Sequence, residues 1–130
     1  MPKRVKPQVR VAILIGSFGA IGAALRAGIT EWFSMVHLFP FGTWIINTCG
    51  SFVLSLLLFH PSFRYHIHPI IFTALTVGAI GSFTTFSTVT VETIDLWVAN
   101  PVHALVYVLG NILTSVGACL IGYFIVRERT

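Results

Sequence analysis

The chain has 130 residues, of which 55% are apolar and only 9% charged, against roughly 25% charged residues in a soluble domain. Mean hydropathy is +0.88, and eight Lys/Arg with four Asp/Glu cannot coat the large surface of a small soluble fold, so composition excludes one and names lipid as the solvent. A sequence pI near 9.6 does not mark a nucleic-acid binder, because the basic residues gather at the chain ends instead of on one face. Four carboxylates leave little for a hydrolase built on paired acids.

The first ten residues, MPKRVKPQVR, carry four positive charges and lead into an apolar run. That start resembles a signal peptide, but no small-residue cleavage site follows and three more apolar segments do, so the expectation is a first membrane helix. A spanning helix needs about 20 mostly apolar residues. Residues 11–29 supply the first, interrupted only by Arg26. Residues 41–59 are uncharged over 19 positions, 69–91 over 23 and 101–126 over 26. The expected fold is all-α: one four-helix transmembrane domain over 1–130, with spans at about 11–30, 41–59, 69–94 and 101–126. The connections near 32–40, 60–68 and 97–100 are too short to hold an extramembrane domain.

With four spans, Lys3, Arg4, Lys6, Arg10, Arg64, Arg127 and Arg129 share one side and at most Arg26 lies on the other. Basic residues stay inside, so both termini are expected in the cytoplasm. His37, His60, His66, His68 and His103 lie in or beside connections and read as interfacial residues rather than metal ligands. Trp32, Trp44 and Trp97 sit near span ends, where an aromatic belt forms. Cys49 and Cys119 lie in apolar runs with no metal-ligand or disulfide spacing.

Gly16, Gly19 and Gly22 recur every three residues in the first span, beside Ala20, Ala23 and Ala24. The fourth span repeats the theme with Gly110, Gly117, Ala118 and Gly122. Small residues let membrane helices approach closely, and four helices barely enclose a pathway, so a transport protein of this size is expected to oligomerise. The third span carries GAIGSFTTFSTVTVET, with Gly78 and Gly81 ahead of Ser82, Thr84, Thr85, Ser87, Thr88 and Thr90. Glycine and β-branched threonine weaken a helix, and a break at 81–85 would bare carbonyl and amide groups able to hold ions. The alternative is a continuous helix whose hydroxyls bond back to its own carbonyls. Asn47 and Asn111 lie inside spans two and four, either as interhelical glue or as pore lining. Arg26 either snorkels or draws anions to a vestibule. Glu92 and Asp95 are candidates to pair with it or with backbone.

Four segments, GSFGAIGAALR (16–26), FGTWIINTCGSF (41–52), GAIGSFTTFSTVTVE (78–92) and YVLGNILTSVG (107–117), occur in the order of the Fluc (CrcB) fluoride channels, and the chain resembles that family over nearly its whole length. The resemblance implies an antiparallel dimer with two fluoride pathways, a passive channel that lowers fluoride toxicity, in the plasma membrane. It implies that Asn47 and Phe86 line the pathway, the ring edge of Phe86 towards the anion, with Thr43, Ser87, Thr88, Asn111 and Tyr107 along the polar track. Backbone carbonyls of Gly81 and Thr84 would hold a central sodium ion, Na+, at the dimer interface, and Arg26 would line the vestibule. The family reads TTFSTF where this chain ends on Val89, and valine has no ring edge to offer. Together with the seven-to-one charge bias, which fixes one orientation, this suggests one half of a heterodimer whose partner inserts the other way. The other readings are a non-conducting structural partner subunit and a small dual-topology cation or drug exporter. The exporter needs a membrane carboxylate that the first span lacks. No nucleophile–base pair marks an enzyme.

Overall fold

The computed structural model describes residues 7–36 and 39–128. Lys3, Arg4, Lys6, His37 and Arg129 lie outside the described residues. Helix α1 spans Pro7–Val36 and α2 spans Phe41–Phe59. A short helix α3 (Pro61–His66) fills the second connection. The third span is assembled from pieces: α4 (Pro69–Thr73), a π-helical stretch (Ala74–Ile80), α5 (Gly81–Phe83), a gap, and α6 (Ser87–Ala99). Helix α7 (Pro101–Arg127) closes the chain. Four segments are long and apolar enough to cross a membrane, Gln8–Ser34, Phe41–Phe59, Pro69–Ala99 and Pro101–Arg127, and no strand occurs among the described residues. The first helix therefore runs past the expected 11–30 at both ends.

Helix starts are set by local chemistry. Proline stands at the first turn of α3, α4 and α7, where its missing N–H costs nothing. The residue before each proline caps the helix: His60 Nδ1 accepts from the Ser62 amide at 3.3 Å, His68 Nδ1 from Ile70 at 3.3 Å and Asn100 Oδ1 from Val102 at 2.9 Å. Two of the connection histidines thus serve the backbone.

Helix α2 sits at the centre, packed on α7 and in part on α1, while α1 also lies along the π-helical stretch and α5. Close approach explains several glycines. A Cβ on Gly22 would overlap the Ala79 carbonyl, and one on Gly78 would meet the Ile15 carbonyl oxygen at 2.6 Å. Gly110 lies under the Trp44 indole. Trp44 therefore faces inward, its Nε1 donating to Thr114 Oγ1 at 2.8 Å, whereas Trp32 and Trp97 are exposed as a belt requires. Gly16 and Gly117 meet nothing.

The polarity of the bundle is inverted relative to a soluble protein. Leu25, Val77, Leu105, Leu109, Leu113, Ile121 and Phe124 face outward. Inside are Thr43, Asn47, Ser55, Thr85 and Asn111, beside Ile46, Ala74, Ala104 and Tyr107. Lipid solvates the apolar exterior, so the polar groups are the ones that must find partners within.

Candidate functional site

The gap in the third span is held open by a side chain from another helix. Thr84 is extended, with φ −78° and ψ 157°. In an unbroken helix the Thr85 N–H would bond the Gly81 carbonyl. Here it donates to Asn47 Oδ1 at 2.8 Å, and Asn47 Nδ2 donates to the Thr85 carbonyl at 2.8 Å. One amide side chain on α2 thereby satisfies both backbone groups of a residue 38 positions away, and the helical bond to Gly81 is given up. The break accordingly lies at 84–86 rather than 81–85: Gly81 itself is helical, at φ −61° and ψ −31°. Glycine content suggested the earlier position, but the location is decided by where Asn47 reaches.

The hydroxyls of this segment follow both expected patterns. Thr76, Thr84, Thr90 and Thr93 bond back to the carbonyls four residues earlier. Thr85 Oγ1 instead meets Thr88 Oγ1 at 2.9 Å and Ser87 Oγ at 3.3 Å, and accepts from the Thr88 amide at 3.2 Å, capping α6. The C-terminal end of one half-helix and the N-terminal end of α6 therefore meet at 84–86. The first end favours cations and the second anions.

Beside the break is a cavity of about 470 Å³ lined by Asn47, Gly50, Ser51, Gly81, Thr84, Thr85, Phe86, Asn111 and Ser115, with Leu54, Ile112 and Val116. It opens to the outside of the bundle, where Phe86 is 75% exposed. Asn47 has no N–H donor to spare, since Nδ2 also donates to Asn111 Oδ1 at 3.1 Å. Asn111 differs. Its oxygen is engaged, but its Nδ2 is buried with no partner, and so is Ser115 Oγ. Unpaired buried donors are costly, and both of these residues stand on the cavity wall.

Of the residues expected at the site, Asn47, Gly81, Thr84, Phe86 and Asn111 meet around this cavity. Ser87 and Thr88 do not line it and are bonded to Thr85. Thr43 and Tyr107 lie further along the bundle. Thr43 Oγ1 donates to Glu92 Oε1 at 2.9 Å, and the Tyr107 hydroxyl donates to Glu92 Oε2. Glu92 thus pairs with two hydroxyls and not with Arg26. Arg26, half-buried on α1, lines neither this cavity nor the smaller one of about 120 Å³ bounded by Thr43, Glu92, Thr30, Phe33, Ser34 and Phe39. Val89 is only 3% exposed and contributes its carbonyl to Thr93, so it faces the bundle interior.

Ser115 was missed from sequence, although Tyr107, Asn111, Ser115 and Cys119 recur every four residues and so share one face of α7. Ser51 and Thr85 were also missed. Gly81 lines the cavity, and its carbonyl, deprived of the Thr85 amide, fits a cation ligand by its chemistry. Thr84 lies beside it with its own hydroxyl turned back to Ile80 at 3.0 Å.

A family model described as CrcB-like protein, Camphor Resistance (CrcB), matches residues 13–123. The chain belongs to the CrcB family. It is 36% identical over 120 residues to a fluoride-specific ion channel FluC of Thermosipho melanesiensis, covering 90% of this chain and 96% of that one. It is 40% identical over 111 residues to the FluC of Oceanobacillus iheyensis, covering 85% and 84% of the two chains. A protein of Bacillus subtilis named fluoride-specific ion channel FluC 2 is 36% identical over 121 residues, 90% and 86% of the two. CrcB membership makes the chain a multi-pass membrane protein of an ion-channel family and not an enzyme.

Proposed function

We propose that this CrcB chain is a subunit of a passive fluoride channel that lets fluoride leave the cytoplasm. The observation that carries the reading is the pair of unpartnered buried donors, Asn111 Nδ2 and Ser115 Oγ, on a cavity wall beside Phe86 and the N-terminal end of α6. Fluoride is small and strongly hydrated, so a site must return hydrogen bonds for the water it removes. An amide and a hydroxyl do so, and the positive edge of the Phe86 ring adds to them. Asn47 acts as the frame that keeps the break open, and Thr85, Ser87 and Thr88 fix the start of α6. A cation-transport reading lacks support from the side chains, because no carboxylate lines this cavity.

The openness of the cavity supports a dimer. Amides, hydroxyls and broken backbone facing lipid are untenable, and a second family subunit in the opposite orientation is the occupant that covers them. A sodium ion would take the carbonyls of Gly81 and Thr84 at that interface. When bound it supplies fixed positive charge beside the break. The Lys/Arg count of seven to one supports a single orientation with both termini cytoplasmic, in a plasma membrane, and hence an oppositely biased partner. Val89 offers no ring and lies buried, so the pathway that draws on this chain's second ring is the weaker of two. Arg26 remains a candidate for the entrance, where it attracts anions without lining the cavity.

Fluoride efflux from liposomes carrying this chain, alone and with an oppositely biased family subunit, tests the reading, with chloride as the control ion. Fluoride release without chloride release is the expected result. Silence in both preparations, or equal release of the two halides, contradicts it.

A further inference from the structure

Helices α2 and α7 each carry a row of residues four apart: Asn47, Ser51 and Ser55 on α2, and Asn111, Ser115 and Cys119 on α7. Residues at that spacing share one face of a helix. The two rows are joined at both ends. Asn47 Nδ2 donates to Asn111 Oδ1 at 3.1 Å, and Ser55 Oγ donates to the Cys119 carbonyl at 2.7 Å. Gly122 permits the second of these rungs, since a Cβ there would stand 3.0 Å from Ser55 Oγ. The middle rung is unmade. Ser115 Oγ is buried with no partner, and Ser51 Oγ makes no hydrogen bond among the described residues. Both residues line the larger cavity.

A hydroxyl in a membrane helix ordinarily turns back to the carbonyl four residues earlier, as Ser17, Thr73, Thr76 and Thr93 do. Ser51 and Ser115 neither turn back nor bond each other. Ser51, half-buried, is the one hydroxyl that α2 gives this cavity, and Ser115 stands on the α7 wall. No carboxylate lines the space to accept from them. Two O–H donors from two helices, with a closed rung on either side, are left for an occupant that accepts a hydrogen bond from each.

We infer that Ser51 is a ligand of the permeating anion, and that Ser51 and Ser115 complete the middle rung by donating together to one fluoride ion. The inference rests on the fluoride-channel reading and deepens it. There, α7 gives the donors, the third span gives the ring edge, and α2 gives only the frame through Asn47. With Ser51, α2 becomes a wall that touches the ion. A hydroxyl rotates its proton towards an acceptor, so the pair replaces lost water from two sides without displacing either helix. Ser55, whose hydroxyl is committed to Cys119, marks where the row closes.

The test is fluoride efflux from liposomes holding the chain, alone and with the oppositely biased family subunit, together with melting in detergent. The variants are Ser51→Ala, Ser115→Ala and the two combined. Ser51→Ala is expected to slow fluoride release roughly tenfold, as loss of one hydrogen bond to an ion allows. Its melting temperature should match the wild type, because the hydroxyl has no protein partner to lose. The double variant should be faster than the product of the two single effects, since donors to one ion are coupled. Wild-type flux in Ser51→Ala overturns the inference, and so does slowing with a matching fall in melting temperature, which would make the hydroxyl structural. Single effects that simply multiply overturn the shared rung. Where Ser51→Ala does not assemble, Ser51→Cys, close in size with only a weak S–H donor, carries the test, and wild-type flux from it overturns the inference too. A wild type silent to fluoride in both preparations contradicts the channel reading itself, and the rung falls with it.

Discussion

The two polar clusters of this bundle are built from similar side chains and end in opposite states. Around the break, Asn111 and Ser115 keep buried donors without partners. At the other cluster, Thr43 and Tyr107 spend every donor on Glu92. In lipid, where backbone and side chains find no water to bond, a satisfied cluster adds stability and an unsatisfied one stores affinity. On the proposed reading, this contrast is what distinguishes scaffold from site. By the same reading Asn47 serves as scaffold, although it lines the cavity, because both of its N–H donors are spent on Thr85 and Asn111.

The comparison is broken most severely at Asn47. Asn47→Leu strands the Thr85 amide and carbonyl, a loss of about 1–3 kcal/mol for each buried group left unpaired, and lets the third span re-form a continuous helix. Fluoride flux is expected to vanish, together with a lower melting temperature in detergent. Flux at the wild-type level would show that the clamp is dispensable. Gly22→Val comes next. A side chain there overlaps the Ala79 backbone, overpacking of this kind costs about 1–3 kcal/mol, and the recovered fraction of monodisperse protein on size-exclusion chromatography should fall. The equivalent change at Gly16, which meets nothing, should leave recovery unaltered.

A smaller effect sharpens the contrast. Phe86→Ile keeps the volume but removes the ring edge. A loss of about 1 kcal/mol corresponds to roughly a fivefold drop in fluoride flux, with melting unchanged because the ring is largely exposed. Smallest in stability is a paired substitution. Ser55→Ala removes a hydroxyl bonded to the Cys119 carbonyl at 2.7 Å, which should cost about 0.6 kcal/mol of stability and spare the flux. Ser115→Ala removes an unpartnered hydroxyl, which should spare stability and slow the flux. Reversed outcomes would mean that unsatisfied donors do not identify the path.

Much of this arrangement was legible in the sequence, and the remainder has a physical reason for being hidden. Long uncharged runs marked the four spans because lipid demands them, and Pro61, Pro69 and Pro101 marked helix starts. That the third span breaks was readable from its glycine and threonine content. Where it breaks was not, because the decision is made by Asn47, 38 residues away from Thr85. Partners chosen in three dimensions were hidden for the same reason. Glu92 lies one span away from both Thr43 and Tyr107, and of the partners open to it in the sequence, Arg26 or backbone, the pairing with Arg26 did not form. The π-helical stretch Ala74–Ile80 had no signal in the sequence beyond Gly78, which allows α1 to approach. Ser115 was available to a reader of the four-residue spacing on α7.

The most direct test of the unpartnered-donor account is fluoride efflux from liposomes bearing the double variant Asn111→Leu, Ser115→Ala, in the subunit combination for which the wild type conducts. The account predicts a monodisperse protein that keeps the Asn47–Thr85 pair, is slightly less stable for want of the Asn47–Asn111 bond, and loses its fluoride flux with the spare donors. Undiminished flux from such a protein would contradict it.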